Sequence, residues 1–264
     1  MGGDLARLSA TCPEQMARSM SYRRGMTGFL TATLLCAFAA DFAMAAQVTG
    51  QVTVAAVNGT ARANRDVGVV FWLTPFPYDA ASRPRAQSDA PHPRLIQRNK
   101  VFDPHVLAVQ VGSQVDFPNR DPFFHNVFSL FNGKRFDLGL YEAGSTRDVH
   151  FDRAGICYIF CNIHPQMSAV VVVVDTPYFA VSDTRGDIAI SGVPPGQYQL
   201  NLWEEHCSPK TLKELLRLVK VGEDATRLGS IHLQETDEPV TVHLNKYGKP
   251  YDPQVFSSPV YVQP

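Results

Sequence analysis

Short apolar runs, most of them rich in β-branched residues and bounded by turn formers, follow one another from residue 47 onward. "VTGQVTV" and "VGVVFWLTP" flank the turn-like "NGTARAN" and predict two strands. Between Leu95 and Asp175 come "LIQRNKVF", "HVLAVQV", "SQVDFPN", "HNVFSL", "RDVHF", "ICYIFC" and "AVVVVVD", with "VGS", "NRDP", "FNGK", "EAGS" and "DRAG" between them. That spacing predicts an all-β sandwich or barrel, and no helical period competes with it. The aperiodic "FPYDAASRPRAQSDAPHPR" between these groups reads as a linker or long surface loop over 77–94.

From Thr176 the style changes to "FAVSDTRGDIAISGVPPGQYQLNLWEE", in which "DTRGD" predicts a hairpin turn and "PPG" a tight turn between alternating strands. "LLRLVKV" and "RLGSIHL" predict two more strands, and "TLKELLRLV" is compatible with a starting helical turn. The Pro- and Tyr-rich tail is expected to run over the surface without an element of its own.

Composition alters this picture at the N-terminus. Arg23 and Arg24 precede "MTGFLTATLLCAFAA", and the small residues Ala43, Ala45 and Ala46 follow, the layout of a signal peptide cleaved near Ala45–Gln47. A membrane anchor needs roughly 20 uninterrupted apolar residues, and Asp41 closes this run early. Residues 1–46 thus read as an over-long start plus leader, with Met16 and Met20 as alternative starts, and as leaving no membrane span. Of five cysteines, Cys157, Cys161 and Cys207 would remain, an odd number that excludes a fully paired disulfide framework. The formal net charge of −1 and the absence of a long basic run exclude the electrostatic footprint of a nucleic-acid binder.

Candidate chemistry concentrates in "CNIHPQM". Cys161, His164 and Met167 are spaced three apart at a strand end, and Asn162 and Pro165 favour a loop over a helix there. A thiolate, an imidazole and a thioether on one loop suit copper, which in a blue site also takes a second His in the trigonal plane. His125, in "NRDPFFHNVFSL", can be delivered by a neighbouring strand of a sandwich. The competing reading is a packed strand end with a buried thiol.

"FDPHVLAVQVGSQVDFPNRDPFFHNVFSL" followed by "GICYIFCNIHPQMSAVVVVV" resembles a cupredoxin of the plastocyanin and amicyanin kind, over residues 95–175. The resemblance implies a Greek-key sandwich holding one type 1 copper ion. It implies His125, Cys161 and His164 as equatorial ligands, Met167 as the axial one, and Asn126 as the source of a backbone N–H to the thiolate. It also makes His164 the electron exit, beside an apolar patch of Phe123, Phe124, Ile163 and Pro165. Where such loops usually carry Pro before the His, this chain has Ile163, whose extra N–H donor is expected to raise the reduction potential.

Cys157 lies two residue pairs, roughly 13 Å, down the strand from Cys161, too far for a disulfide or a shared ion, and is expected to be an inert core thiol. The binuclear loop of cytochrome oxidase, the other reading of two nearby cysteines, has a different Cys-to-His spacing. His105, His150 and His232 read as surface or satisfied polar positions, and His92 has no partner that spacing identifies. Adjacent His206 and Cys207 are a weak second-metal signal, with an exposed loop thiol as the plainer expectation. No second histidine cluster of the kind a copper enzyme needs is visible, so no enzyme is expected.

The region 176–235 is similar to the carboxypeptidase regulatory-like, or transthyretin-like, β-sandwich, with its opening strands supplied from 47–76. This implies a discontinuous second sandwich with the cupredoxin inserted, two sandwiches in series being the alternative, and leaves 236–264 as the tail. The expectation is an exported, periplasmic protein carrying single electrons between redox partners. Copper storage, delivery or sensing is the alternative, and a structural adhesion protein with a vestigial site a third.

Overall fold

The computed structural model describes residues 46–56, 68–79, 91–130, 133–236 and 243–252. The leader read over 1–46 lies outside them, apart from Ala46. Among the described residues no helix is long and apolar enough to cross a membrane.

The described residues are all-β but for one short helix. In order the elements are β1 (Ala46–Ala55), β2 (Val70–Pro75), β3 (Ile96–Arg98), β4 (Val101–Asp103), β5 (Val106–Gln110), β6 (Gln114–Pro118), β7 (His125–Ser129) and β8 (Phe136–Tyr141). Then follow β9 (Thr146–His150), β10 (Gly155–Cys161), β11 (Ser168–Val174), β12 (Phe179–Val181), β13 (Asp187–Val193) and β14 (Gly196–Trp203). Helix α1 (Pro209–Glu214), β15 (Arg217–Val221) and β16 (Thr226–Gln234) complete the set. Ser208 caps α1 by accepting the Thr211 amide at 3.1 Å, and Pro209 starts it at the position where a missing N–H costs nothing.

The central strands form one five-stranded sheet in the order β5-β11-β10-β7-β8, faced by the pairs β3-β4 and β6-β9. Bridges Arg94 to Asp116 and Gln97 to Asn119 tie those two pairs together. Between the layers lies a core of Leu95, Phe117, Val127, Tyr141, Phe151, Ile159 and Val171, all buried. Strands from both ends of the chain make two further sheets, β13-β1-β16 and β12-β2-β14-β15, around a second core that includes Val48, Phe71, Leu73, Ile190 and Leu200.

Two details depart from the sequence expectation. "LIQRNKVF" is not one strand but the tight hairpin β3–β4, because Asn99 and Lys100 take left-handed φ values of 55° and 56°. Strand β8 falls in "RFDLGLY", where Gly139 at φ +69° and a mixed pattern hide the strand signal.

The run "SAVVVVV" explains how the two sandwiches meet. Ala169, Val171 and Val173 of β11 point into the core containing Cys161. Val170, Val172 and Val174 point the other way and pack with Val70 and Trp203 of the second sandwich, flanked by Trp72, Ile156, Tyr158 and Phe179. A strand covered on both faces needs no polar alternation.

Candidate metal centre

Antiparallel pairing of β7 with β10 sets Cys161 opposite Val127 and Phe160 opposite Phe128. The first residue of β7, His125, therefore lies at the same sheet end as the last residue of β10, Cys161. The chain after Cys161 turns back into β11 through a loop closed on itself. The Asn162 amide donates to the Asn126 carbonyl (2.9 Å), the Met167 amide to the His164 carbonyl (2.9 Å), and the Cys161 amide to the Met167 carbonyl (3.3 Å).

This geometry converges three ligand atoms. His125 Nδ1 lies 3.5 Å from Cys161 Sγ, His164 Nδ1 lies 3.7 Å from the same sulfur, and the two ring nitrogens are 3.2 Å apart. The in-plane point equidistant from these atoms is about 2.0 Å from each, close to an ordinary metal–imidazole bond and about 0.3 Å short of a metal–thiolate bond. His125 and Cys161 are fully enclosed and His164 is 4% exposed. Met167 is also buried in this core. One thiol, two imidazoles and a nearby thioether are a donor set suited to copper.

Asp121, which sequence reading did not single out, fixes the first imidazole. Its Oδ2 lies 2.9 Å from His125 Nε2, so that nitrogen donates and Nδ1 faces the other ligands with its lone pair. The same carboxylate accepts the amides of Asn99 (2.5 Å) and Lys100 (3.1 Å) in the β3–β4 turn. Burial works against its charge, but the Lys100 amide, the His125 ring and the Asn99 amide outweigh it and hold the carboxyl below the usual range. The available signal was an acid four residues before a candidate ligand in "DPFFH". Asn119 holds Asp121 in turn, its Oδ1 accepting the Asp121 amide at 3.0 Å.

Burial disfavours the charged form of both imidazoles. It lowers His125 despite Asp121, and it lowers His164 to about 4, where a proton on His125 and the Lys100 charge would add to the effect. Burial raises the free Cys161 thiol, against backbone amides of Asn126, Ile163 and His164 that donate to the sulfur. The Asn126 and Ile163 amides are among the groups that pull the Cys161 thiol down.

On the outer side Phe123 sits 5.4 Å from the His125 ring and 5.3 Å from that of His164. Phe124 is 52% exposed, while Phe123, Ile163 and Pro165 are half-buried.

Elsewhere, Cys157 is a buried core thiol raised by burial to about 11. Cys207, expected as an exposed loop thiol, is instead buried against the second core, donates to the Gln234 carbonyl (3.3 Å) and is raised by burial to about 12. His206 is held by Glu204 through its amide (2.7 Å) and ring (3.3 Å), with Glu235 close by. His92 pairs with Asp116 at 2.9 Å, and His232 with Thr53 at 2.7 Å.

No protein-family model matches the chain, and no curated protein matches it. Among solved structures, a purple cupredoxin from Nitrosopumilus maritimus matches at 24% identity and a TM-score of 0.29, over 31% of this chain and 99% of the other. Amicyanin from Paracoccus versutus matches at 21% identity and a TM-score of 0.30, over 35% of this chain and 92% of its own. A copper-containing nitrite reductase from Thermus scotoductus matches at 21% identity and a TM-score of 0.31, over 36% of this chain and 25% of that one. At such partial coverage the reading of the centre rests on the donor geometry.

Proposed function

We propose that His125 Nδ1, His164 Nδ1 and Cys161 Sγ would hold one copper ion, with the Met167 thioether as a further donor, and that this chain acts as an exported carrier of single electrons. The observation that carries the reading is the enclosed triangle of two imidazole nitrogens and one thiol sulfur, with sides of 3.2 to 3.7 Å. Copper bound there supplies a one-electron couple between Cu(I) and Cu(II).

The protein's own contribution is to hold the ligands still and dry. Asp121 orients His125, the closed loop orients His164 and Met167, and three amides stabilise negative charge on sulfur. Phe124, with half-buried Ile163 and Pro165, offers an apolar face beside His164 for brief docking of a periplasmic redox protein. The role is that of a carrier and not of an enzyme.

Purified protein loaded with Cu(II) is expected to turn intensely blue and bleach with reductant, and Cys161→Ser to lose the colour while still folding. A variant that keeps the colour sinks the ligand assignment. Colourless Cu(I) binding by the native chain favours storage or delivery, and no copper uptake favours a structural role.

A further inference from the structure

The C-terminal residues 243–252 follow the last strand of the second sandwich, yet lie against the metal loop of the first. His243 Nε2 donates to the Pro165 carbonyl at 2.6 Å, and its ring stacks on Phe160 with centroids 3.9 Å apart and planes 14° from parallel. The Lys246 amide donates to Asn162 Oδ1 at 3.0 Å. The Tyr251 hydroxyl donates to the Cys161 carbonyl at 3.2 Å. Between these anchors the segment is a self-closed turn: the Asn245 amide donates to the Lys249 carbonyl, the Gly248 amide donates to the Asn245 carbonyl, and the Asn245 side chain accepts the Tyr247 and Lys249 amides.

A further contact runs to Asp137, which in turn holds the Asn126 side chain. Lys246 Nζ lies 2.9 Å from Asp137 Oδ2, and Asp137 Oδ1 accepts Asn126 Nδ2 at 2.6 Å. Asn126 is the residue whose amide donates to Cys161 Sγ. The tail thus touches the loop at Cys161, Asn162 and Pro165, and touches the Asn126 side through Asp137.

We propose that residues 243–252 are a brace that positions the 161–167 loop, with His243 and Tyr251 as positioning residues for the ligands, and this rests on the copper reading above. The loop's internal bonds fix its inner side, toward the ligand atoms. The Cys161 and Pro165 carbonyls and the Asn162 side chain are held by the tail. A site held from both sides keeps its ligands within tenths of an ångström before the metal arrives, which raises affinity by removing the ordering cost from binding.

The test uses the full-length chain as Tyr251→Phe, His243→Ala and the double variant. In metal-free protein, hydrogen exchange of the Cys161 and Met167 amides is expected to speed up by about two- to tenfold for Tyr251→Phe, the weight of one hydrogen bond, and further in the double variant. Amides of β1 and β13 serve as the folding control and are expected to keep their rates. Copper affinity of the double variant is expected to fall at least about tenfold, with a shift of the thiolate-to-copper absorption band. Unchanged loop exchange in the double variant overturns the brace, and faster exchange with unchanged affinity and band overturns its positioning role. If the native chain takes up no copper the copper reading fails by itself, and the exchange measurement still judges the brace.

Discussion

At the scale of single residues, the centre depends on groups that are not ligands. Asp121 joins the His125 ring to the β3–β4 turn, so its charge sets both the tautomer of His125 and the position of β7. Asp121→Asn keeps one acceptor but presents an NH2 group to amide donors. We expect copper affinity to drop roughly 10- to 100-fold in a folded protein, measured by competition with a chelator, and an unchanged affinity counts against this role. Ile163 acts on the sulfur directly. Its N–H helps stabilise negative charge on Cys161, which favours the reduced ion. Ile163→Pro removes that donor, so the reduction potential is expected to fall in voltammetry, and an equal or higher value refutes the assignment.

At the scale of elements, the strands decide what each residue type means. Alternation along β10 turns Cys157, Ile159 and Cys161 to the same core, yet only Cys161 lies at the strand end that meets His125. Cys157 is therefore a packing thiol despite its nearness in sequence. Turns matter as much. Gly186, at φ +77° between β12 and β13, packs its Cα against the backbone of Val52 in β1 and accepts the Val52 amide at 2.8 Å. A Cβ there would collide with the Val52 carbonyl and impose left-handed strain. Gly186→Ala is expected to cost about 2 kcal/mol or more in denaturant unfolding, whereas a loss below a few tenths shows that the turn relaxes freely.

At the scale of the whole molecule, the two sandwiches are joined by the apolar seam on β11 and by a polar clasp. His105, just before β5, bonds the Ser168 carbonyl through Nδ1 (3.2 Å) and Glu205, just after β14, through Nε2 (2.6 Å). The Glu205 hydrogen bond, opposed by burial, raises the His105 pKa above 6.5. A raised folded-state pKa means that the clasp contributes fully below about pH 6.5 and fades as pH rises through the folded value. The melting temperature of the native chain should exceed that of Glu205→Gln at pH 6, with the gap closing toward pH 9. An equal gap at both values rules out a titrating clasp. The brace of residues 243–252 is a second link at this scale, carrying chain from the last strand of one sandwich to the loop of the other.

The sequence by itself determined the all-β character, because strand periodicity and turn residues are local properties. It also pointed to candidate ligands at positions 125, 161, 164 and 167, because three of them sit in one seven-residue loop. It did not reveal the break at Asn99–Lys100, strand β8, or the burial of Cys207, since each depends on what packs against it. Asp121 gained its role only once a hairpin turn and a ligand met around one carboxylate. The unbroken valines of β11 were legible as a strand, but only the tertiary structure decided that one face closes the candidate metal centre's core and the other carries the second sandwich. The same holds for the tail, whose contacts join residues about 80 to 90 positions apart. Local chemistry fixed what could bind; long-range packing fixed how firmly it is held.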